Sequence, residues 1–236
     1  MIYLNIKRIV IPIVCLCFII VSIFWPKTTH TFYQTIASQH TRFPTIVIDA
    51  GHGGIDSGTN GDDGTAEKDI NLAISKKLEQ ILRCMGFSVI MTRTQDDLIS
   101  DPALDTIRKR KNADIMKRLE IANSTENCVL ISIHQNYFHQ SQYSGAQVFY
   151  SSNHTENKEL ADWLQNDIIA MLQPLNTRKT KSIGSDVYLL HHCNNPAVMI
   201  ECGFMSNPKE LSLLKNESYQ TKLAFTIALS LISFYT

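Results

Sequence analysis

The sequence has no surplus of charge of either sign. Its 236 residues include 22 Lys and Arg and 22 Asp and Glu, which gives a formal net charge of +0 at pH 7. It therefore lacks the basic surface on which nucleic-acid binding depends, and we expect no nucleic-acid partner. It also lacks internal repeats and low-complexity tracts. Its length leaves room for one sizeable domain, or at most two small ones.

The six cysteines lack the C-x-x-C spacing that is typical of zinc-binding motifs. Two of them lie in an apolar run at the N-terminus, and the other four are scattered: Cys84, Cys128, Cys193 and Cys202. Each of these four lies within a predicted helix or strand or at its edge. We therefore favour buried free thiols over disulfide bonds for them.

One long apolar run lies at the N-terminus. Two basic residues precede 17 residues without charge, 9–25, and no small-x-small cleavage site follows them. The run is just long enough to span a bilayer, and the basic residues before it favour export of the remainder. We predict an uncleaved signal-anchor over 1–27, a polar linker over 28–43 and one extracytoplasmic domain over 44–236. A cleaved export signal and secretion are the alternative.

Strand and helix signals alternate after residue 44. Six short apolar or β-branched runs are typical of strands, at 46–48, 88–92, 128–134, 145–151, 187–191 and 197–201. Helix signals lie at 66–85, 107–124, 160–172, 208–215 and 219–234. This alternation predicts a single-domain α/β fold, with a mostly parallel twisted sheet of about six strands and helices on both faces.

Polar side chains stand at the carboxyl ends of three predicted strands. His52 follows the first strand, in TIVIDAGHGGIDSGTNG, and His134 ends the third, in CVLISIHQN. Glu201 ends the last strand, in VMIECGF. Glu67 lies in the first turn of the first long helix, on its apolar stripe, where a carboxylate is costly unless something binds it. Sites in such sheets form at this edge, so the four are candidate site residues.

Two imidazoles and one carboxylate form a catalytic zinc set that leaves a fourth position for water. Zinc lowers the pKa of that water towards neutrality and polarises a carbonyl oxygen. His52, Glu67 and His134 would be the metal ligands. Glu201 would then be free to take the proton of the water and pass it to a leaving nitrogen. The combination predicts a zinc hydrolase.

Each of these residues has a simpler interpretation when it is taken alone. A histidine after a strand is often a hydrogen-bonded turn residue, and Glu67 could stabilise the N-terminus of its helix. Glycines around His52 also suit a phosphate-binding loop, but the Lys-Ser/Thr of a P-loop is missing. His191 and His192 lie on a predicted strand, where neighbours point to opposite faces. We therefore expect them at the groove wall or the surface.

Five blocks of the chain resemble, in order, the signature blocks of zinc-dependent N-acetylmuramoyl-L-alanine amidases, the Amidase_3 family. They are IVIDAGHGGIDSGTNG, AEKDINLAISKKLEQILRCMGFSVIMTR, LISIHQN, GAQVFY and PAVMIECGFMSNPKE. The resemblance implies zinc ligands at His52, Glu67 and His134 and a catalytic glutamate at Glu201, which is the set derived above. It also implies hydrolysis of the amide bond between N-acetylmuramic acid and the L-alanine of the peptidoglycan stem peptide.

Within that family, the chain is most similar to the sporulation and germination amidases. The basic helix TIRKRKNADIMKRLEIANS and the N-terminal apolar run without wall-binding repeats carry this similarity. It implies action on the spore cortex, as a step to muramic-δ-lactam, in the space between the forespore membranes. It also leaves room for an activating protein partner. A general cell-wall amidase of vegetative growth or division is the alternative.

Two functions of other classes stay open. A zinc peptidase with two metal ions would need further carboxylate ligands, for which Asp49 and Asp56 are the close candidates. Asp49 is better explained as a support for a ligand histidine. The second alternative is an inert wall-binding protein, and the complete set of three ligands and a base argues against it.

Overall fold

Residues 43–101 and 103–236 are described by a computed structural model. The signal-anchor predicted over 1–27 and nearly all of the linker predicted over 28–43 lie outside the described residues. Within the described part of the chain, no helix combines the length and the hydropathy that a membrane span requires. The boundaries of these N-terminal segments therefore stay predictions.

A six-stranded sheet forms the centre of the domain. Its strands are β1 Thr45–Ala50, β2 Val89–Met91, β3 Cys128–Asn136, β4 Gln147–Ser151, β5 Lys181–Ile183 and β6 Ala197–Phe204. Their order across the sheet is β2-β1-β3-β6-β4-β5. Strands β2, β1, β3 and β6 are parallel, whereas β4 runs antiparallel to β6 and parallel to β5. The prediction of a mostly parallel sheet of about six strands is confirmed.

Helices cover both faces of this sheet. They are α1 Glu67–Cys84, α2 Ile107–Ser124, α3 Asn157–Met171, α4 Tyr188–His192, α5 Pro208–Leu214 and α6 Glu217–Tyr235. Helices α1, α3 and α6 pack together on one face, and α2 and α4 pack together on the other. The central strands β1 and β3 are buried on both sides, as parallel strands between two helical layers must be.

Helix α1 brings a carboxylate to the end of the sheet. Its apolar stripe, which includes Ile70, Ile74 and Leu78, is buried against β1 and β3. Each such side chain contributes about 1.5–3 kcal/mol by leaving water. Glu67 lies on the same stripe one turn earlier and is 2% exposed. The packing of the stripe therefore offsets the cost of placing this carboxylate beside the carboxyl ends of the strands.

One predicted strand is a helix. Residues 187–191 were expected to form a strand, but Tyr188–His192 forms helix α4, and the strand on this side of the sheet is Lys181–Ile183. Leu189 and Leu190 are both buried, although neighbours on a strand would point to opposite faces. The apolar run is too short for its periodicity to separate strand from helix. Strand β5 is mostly exposed and carries almost no apolar signal.

All four cysteines within the described residues are free thiols. Cys128, Cys193 and Cys202 are buried, as expected. Cys84 is exposed at the end of α1, so the expectation of burial is wrong for this residue.

Candidate metal centre

Three side chains from separate elements meet at the carboxyl edge of the sheet. His52 follows β1, Glu67 begins α1 and His134 lies near the end of β3, and one ligand atom from each lies within 4.8 Å of the others. His52 Nε2 is 3.3 Å from Glu67 Oε2, and His134 Nδ1 is 3.0 Å from Glu67 Oε1. Three of the four candidate residues chosen from the sequence, His52, Glu67 and His134, are therefore in contact.

The glycines around His52 make room for these side chains. A Cβ atom on Gly51 would lie 2.2 Å from His134 Nε2, and one on Gly58 would lie 2.5 Å from Glu67 Oε2. His52 itself has a φ of 61°, in the left-handed region that few residues other than glycine adopt. Such strain persists only where the surrounding contacts hold it, and it is common at functional sites. The turn is therefore shaped around the ligand side chains.

Glu67 is held as an anion. Its Oε1 accepts hydrogen bonds from the backbone N–H of Gln135 and from Asn71 Nδ2, and its Oε2 accepts one from the backbone N–H of Thr59. Burial raises the pKa of Glu67, but its hydrogen bonds and charge interactions with the two histidines outweigh burial and hold that pKa well below its usual range. The carboxylate is therefore charged and fixed before any ligand arrives.

Asp56 orients His52. Its Oδ2 lies 2.8 Å from His52 Nδ1, and its Oδ1 pairs with Lys111 Nζ at 2.6 Å. Burial lowers the pKa of His52, but its contacts with Asp56 and Glu67 outweigh burial and raise that pKa to about 9. A carboxylate on the far nitrogen is the usual support of a ligand histidine. Asp56 is thus occupied as a support and is not free for a second metal ion.

Asp49 does not support a histidine directly, and that expectation is wrong. Its carboxylate accepts hydrogen bonds from Thr92 and Ser132 and from Arg118 Nη1 at 2.7 Å. Burial raises the pKa of Asp49, but the Arg118 charge, the nearby His134 and the hydrogen bonds from Ser132 and Arg118 lower it to about 2. Neither histidine is among its hydrogen-bond partners, because Thr92, Ser132 and Arg118 occupy both of its oxygens.

Arg118 is a functional residue that the sequence analysis missed. It pairs with Asp49 and with Asp114, and it also donates hydrogen bonds to the carbonyl oxygens of Ala50 and His52. It thereby fixes the backbone that carries the first ligand. The sequence feature that could have identified Arg118 is its position on the buried stripe of α2, where an arginine needs an acidic partner.

Glu201 lies beside the three ligands but is bonded to none of them. It is directly opposite His134 in the pairing of β3 with β6. Its Oε2 is buried and has no hydrogen-bond partner within the described residues, and burial raises its pKa to about 7. Glu201, His52 and His134 line one pocket of about 360 Å³ between α2 and α4. An unpartnered carboxylate facing a pocket suits a group that exchanges protons with a bound molecule.

The residues present fit a catalytic zinc site. Two imidazole nitrogens and one carboxylate oxygen are the donors of many zinc hydrolases, and they leave one position open. The glycine turn leaves the ligand atoms clear of backbone, and the orphan oxygen of Glu201 lies next to them. Within residues 43–101 and 103–236, this is the one cluster of three such donors. The arrangement matches one metal ion.

The adjacent histidines of α4 are not part of this cluster. His191 and His192 are exposed, and neither lines the pocket. The His192 ring lies 4.2 Å from the ring of Tyr188, which does line the pocket. Of the two placements expected for these histidines, the surface is the observed one.

Comparison with known proteins gives matches over most of the chain. A family model described as N-acetylmuramoyl-L-alanine amidase, Amidase_3, matches residues 46–233. The germination-specific N-acetylmuramoyl-L-alanine amidase of Bacillus subtilis (strain 168) is 35% identical over 191 residues, which are 81% of this chain and 79% of that protein. The N-acetylmuramoyl-L-alanine amidase AmiA of Escherichia coli (strain K12) is 28% identical over 232 residues, covering 80% of this chain and 75% of that protein.

The fold is also similar to solved structures. The CwlD amidase from Clostridioides difficile, solved in complex with the GerS lipoprotein, aligns with a TM-score of 0.78 and 42% sequence identity. The alignment covers 81% of this chain and 98% of that chain. A second neighbour, an N-acetylmuramoyl-L-alanine amidase from Clostridium difficile 630, aligns with a TM-score of 0.71 and 32% identity, over 82% of this chain and 97% of that chain.

Proposed function

We propose that this chain, which belongs to the Amidase_3 family of N-acetylmuramoyl-L-alanine amidases, hydrolyses the amide bond between the lactyl group of N-acetylmuramic acid and L-alanine in peptidoglycan. The family that the sequence blocks indicated is thereby confirmed. One observation carries the proposed chemistry: His52, Glu67 and His134 meet beside the unpartnered carboxylate of Glu201.

The proposed metal is zinc, and its proposed ligands are His52, Glu67 and His134. Zinc in such a site polarises a carbonyl oxygen and lowers the pKa of water. The chain supplies rigidity: four hydrogen bonds hold Glu67 in addition to its contacts with the histidines, two from Thr59 and one each from Asn71 and Gln135. Supports of this kind are typically worth 10- to 100-fold in metal affinity or activity.

Glu201 is the proposed proton carrier. Its free oxygen accepts a proton from the attacking water as the water oxygen bonds to the amide carbon. The same carboxyl group then donates the proton to the amide nitrogen as the C–N bond breaks. The products are the lactyl carboxylate on the glycan and a stem peptide with a free amino group on its L-alanine.

The finer proposal is that the substrate is spore-cortex peptidoglycan and that the product leads to muramic-δ-lactam. The similarity to a germination-specific amidase and to CwlD supports this role.

We place the enzyme outside the cytoplasm, held by the segment 1–27. Because the CwlD neighbour was solved in complex with a lipoprotein, we also propose that an activating protein binds this chain. Faster release of stem peptides from cortex than from vegetative wall would support the cortex assignment, and equal rates would contradict it.

A product analysis tests the chemistry. The full chain, purified with zinc, is incubated with muropeptides that carry intact stems, and the products are identified by mass spectrometry. We expect free stem peptides that begin with L-alanine. Their formation should stop with a chelator, resume when zinc is added back, and slow by about 10²–10⁴ in Glu201→Gln. Glu126→Gln is the matched control, since Glu126 is exposed and remote from the pocket.

Cleavage at a bond within the stem peptide would contradict the amidase reaction and favour a zinc peptidase. Full activity after chelation would contradict the zinc assignment. Release of stem peptides by Glu201→Gln at the wild-type rate would contradict the proton-carrier role while leaving the reaction itself in place.

A further inference from the structure

A cationic side chain also lies at this edge of the sheet, on the side of Glu201 away from the metal ligands. Gln147, the first residue of β4, is directly opposite Glu201 in the antiparallel pairing of β4 with β6. Directly opposed residues in such a pair project from the same face. Arg178, in the segment before β5, donates a hydrogen bond from Nη2 to Gln147 Oε1. The guanidinium therefore continues the line of site residues across the sheet, from His134 through Glu201 and Gln147.

The guanidinium of Arg178 is held in place but not neutralised. Its central carbon lies 5.0 Å from the centre of the Phe204 ring, and the ring supports its flat face. Its Nε is buried and has no hydrogen-bond partner within the described residues. The acidic groups whose charges act on it most are Glu210 and Glu201. Both Glu210 oxygens accept backbone N–H groups, from Gly145 and from Phe204.

Two other cations near the site are paired with carboxylates, and a third, the buried Arg93, donates its side-chain hydrogen bonds to backbone carbonyl oxygens. Arg178 differs from all three. Arg118 pairs with Asp49 and Asp114, and Lys111 pairs with Asp56. Within residues 43–101 and 103–236, Arg178 forms no ion pair, and the one hydrogen-bond partner of its guanidinium is a neutral amide, that of Gln147. A half-buried guanidinium fixed in this way is prepared for a carboxylate that the chain does not itself supply.

The spacing suits a group near the scissile bond. Neighbouring strands lie about 4.8 Å apart, so a group two strands beyond Glu201 is roughly 10 Å from it. An extended peptide advances about 3.3 Å per residue. A carboxylate on the second residue of a stem peptide would reach Arg178 while the amide at the first residue lies at Glu201. In peptidoglycan that second residue is glutamate joined through its side chain, so its α-carboxylate is free.

We propose that Arg178 binds the free α-carboxylate of the second residue of the peptide stem and so selects stems that carry this charge. The inference rests on the proposed amidase function. Arg178 is a substrate-binding residue here, and no proton passes through it. It places the peptide on the β4 and β5 side of Glu201.

Two substrates that differ in one group provide the test. Both are disaccharide tripeptides, one with the free α-carboxylate on the second residue and one with a carboxamide there. The zinc-loaded full chain should hydrolyse the carboxylate form with a kcat/KM about 10- to 100-fold higher, mainly through a lower KM. Arg178→Gln should reduce that ratio to near one, by slowing the carboxylate form only. Arg178→Lys should keep part of the preference.

Lys179→Gln is the matched control, because it removes the same charge from an exposed neighbour in the same segment and should keep the wild-type ratio. An equal loss on both substrates in Arg178→Gln would show a structural role and overturn the inference, as would a wild-type ratio near one. If the wild-type enzyme hydrolysed neither substrate, the proposed function itself would fail. Thermal unfolding of each variant confirms that the fold is intact.

Discussion

The two sides of the site differ in how their polar groups are satisfied. The ligand corner, which comprises His52, Glu67 and His134, is bonded internally: Glu67 alone accepts four hydrogen bonds besides its contacts with the histidines. The Glu201 wall, which comprises Glu201, Gln147 and Arg178, contains a buried carboxylate oxygen and a buried guanidinium nitrogen, neither of which has a hydrogen-bond partner in the part of the chain that the structure describes. The corner is complete before substrate binds, whereas the wall lacks partners that a substrate would bring.

This difference separates the groups that hold the metal from the groups that react with or bind the substrate. Groups that must stay in place gain from bonds within the protein, because each bond reduces the freedom of the ligand side chain. Groups that must exchange a proton or bind a charge have to leave that capacity unused in the free enzyme. Substitutions on the two sides should therefore change metal content, activity and stability in different combinations.

The largest effect is expected from Glu67→Gln in the ligand corner. An amide nitrogen cannot accept the hydrogen bonds that the carboxylate receives from Thr59, Asn71 and Gln135, so a buried donor loses its acceptor. We expect loss of stoichiometric zinc and of measurable activity, and a free energy of unfolding lower by about 1–3 kcal/mol. Metal analysis, the product assay and denaturant titration measure these three results. Retention of zinc by this variant would contradict the ligand assignment.

Glu201→Gln should separate activity from metal binding. Removing a proton carrier typically costs about 10²–10⁴ in rate, so kcat should fall in that range while zinc stays bound. In the zinc-free protein the variant should unfold about 2–4 °C higher, because a neutral amide replaces a buried carboxylate whose Oε2 has no partner among the described residues. Metal analysis, kinetics and thermal unfolding of the Glu201→Gln and Glu126→Gln proteins provide the comparison. Loss of zinc together with activity would assign Glu201 to the ligand corner.

The ligand corner could be predicted from the sequence because each of its members carries a strong local signal. His52 and His134 follow apolar β-branched runs, and Glu67 interrupts the spacing of an apolar stripe. The carboxyl ends of parallel strands meet at one edge of the sheet, so these signals also imply proximity. Local patterns and one rule of topology were sufficient here.

The supports of the site could not be predicted, because they depend on which side chains meet across long separations. Asp49 and Arg118 are 69 residues apart, and nothing in the sequence near either residue shows that they pair. The sequence favoured Asp49 over Asp56 as the support of a ligand histidine, yet Asp56 holds the histidine and Asp49 binds an arginine. The short helix Tyr188–His192 was missed for a similar reason, since its burial is decided by contacts with α2.

Asp56→Asn should have an intermediate effect that stays within the ligand corner. The amide can still contact His52 Nδ1, but it carries no charge to fix the orientation and basicity of the ring. We expect zinc affinity about 10- to 100-fold weaker, with activity restored at high zinc concentration. A competition titration with a zinc-binding dye measures the affinity, and Asp105→Asn, at an exposed position just before α2, is the control. Activity that stays low at saturating zinc would show that Asp56 contacts the reaction itself.

Lys111→Gln should have the smallest effect, and it tests where the ligand corner ends. Lys111 Nζ is 2.6 Å from Asp56 Oδ1, but its side chain is 44% exposed. Exposed ion pairs are worth about 0–1 kcal/mol, so zinc affinity should weaken by no more than about fivefold. The change should shrink further at about 1 M salt, where charges are screened within about 3 Å. Lys109→Gln, at an exposed position two residues earlier whose partner is Asp105, serves as the control. A loss of activity in Lys111→Gln that added zinc does not restore, and that comes from a higher KM, would instead show that Lys111 contacts the substrate. Lys111 would then belong to the substrate-binding side of the site.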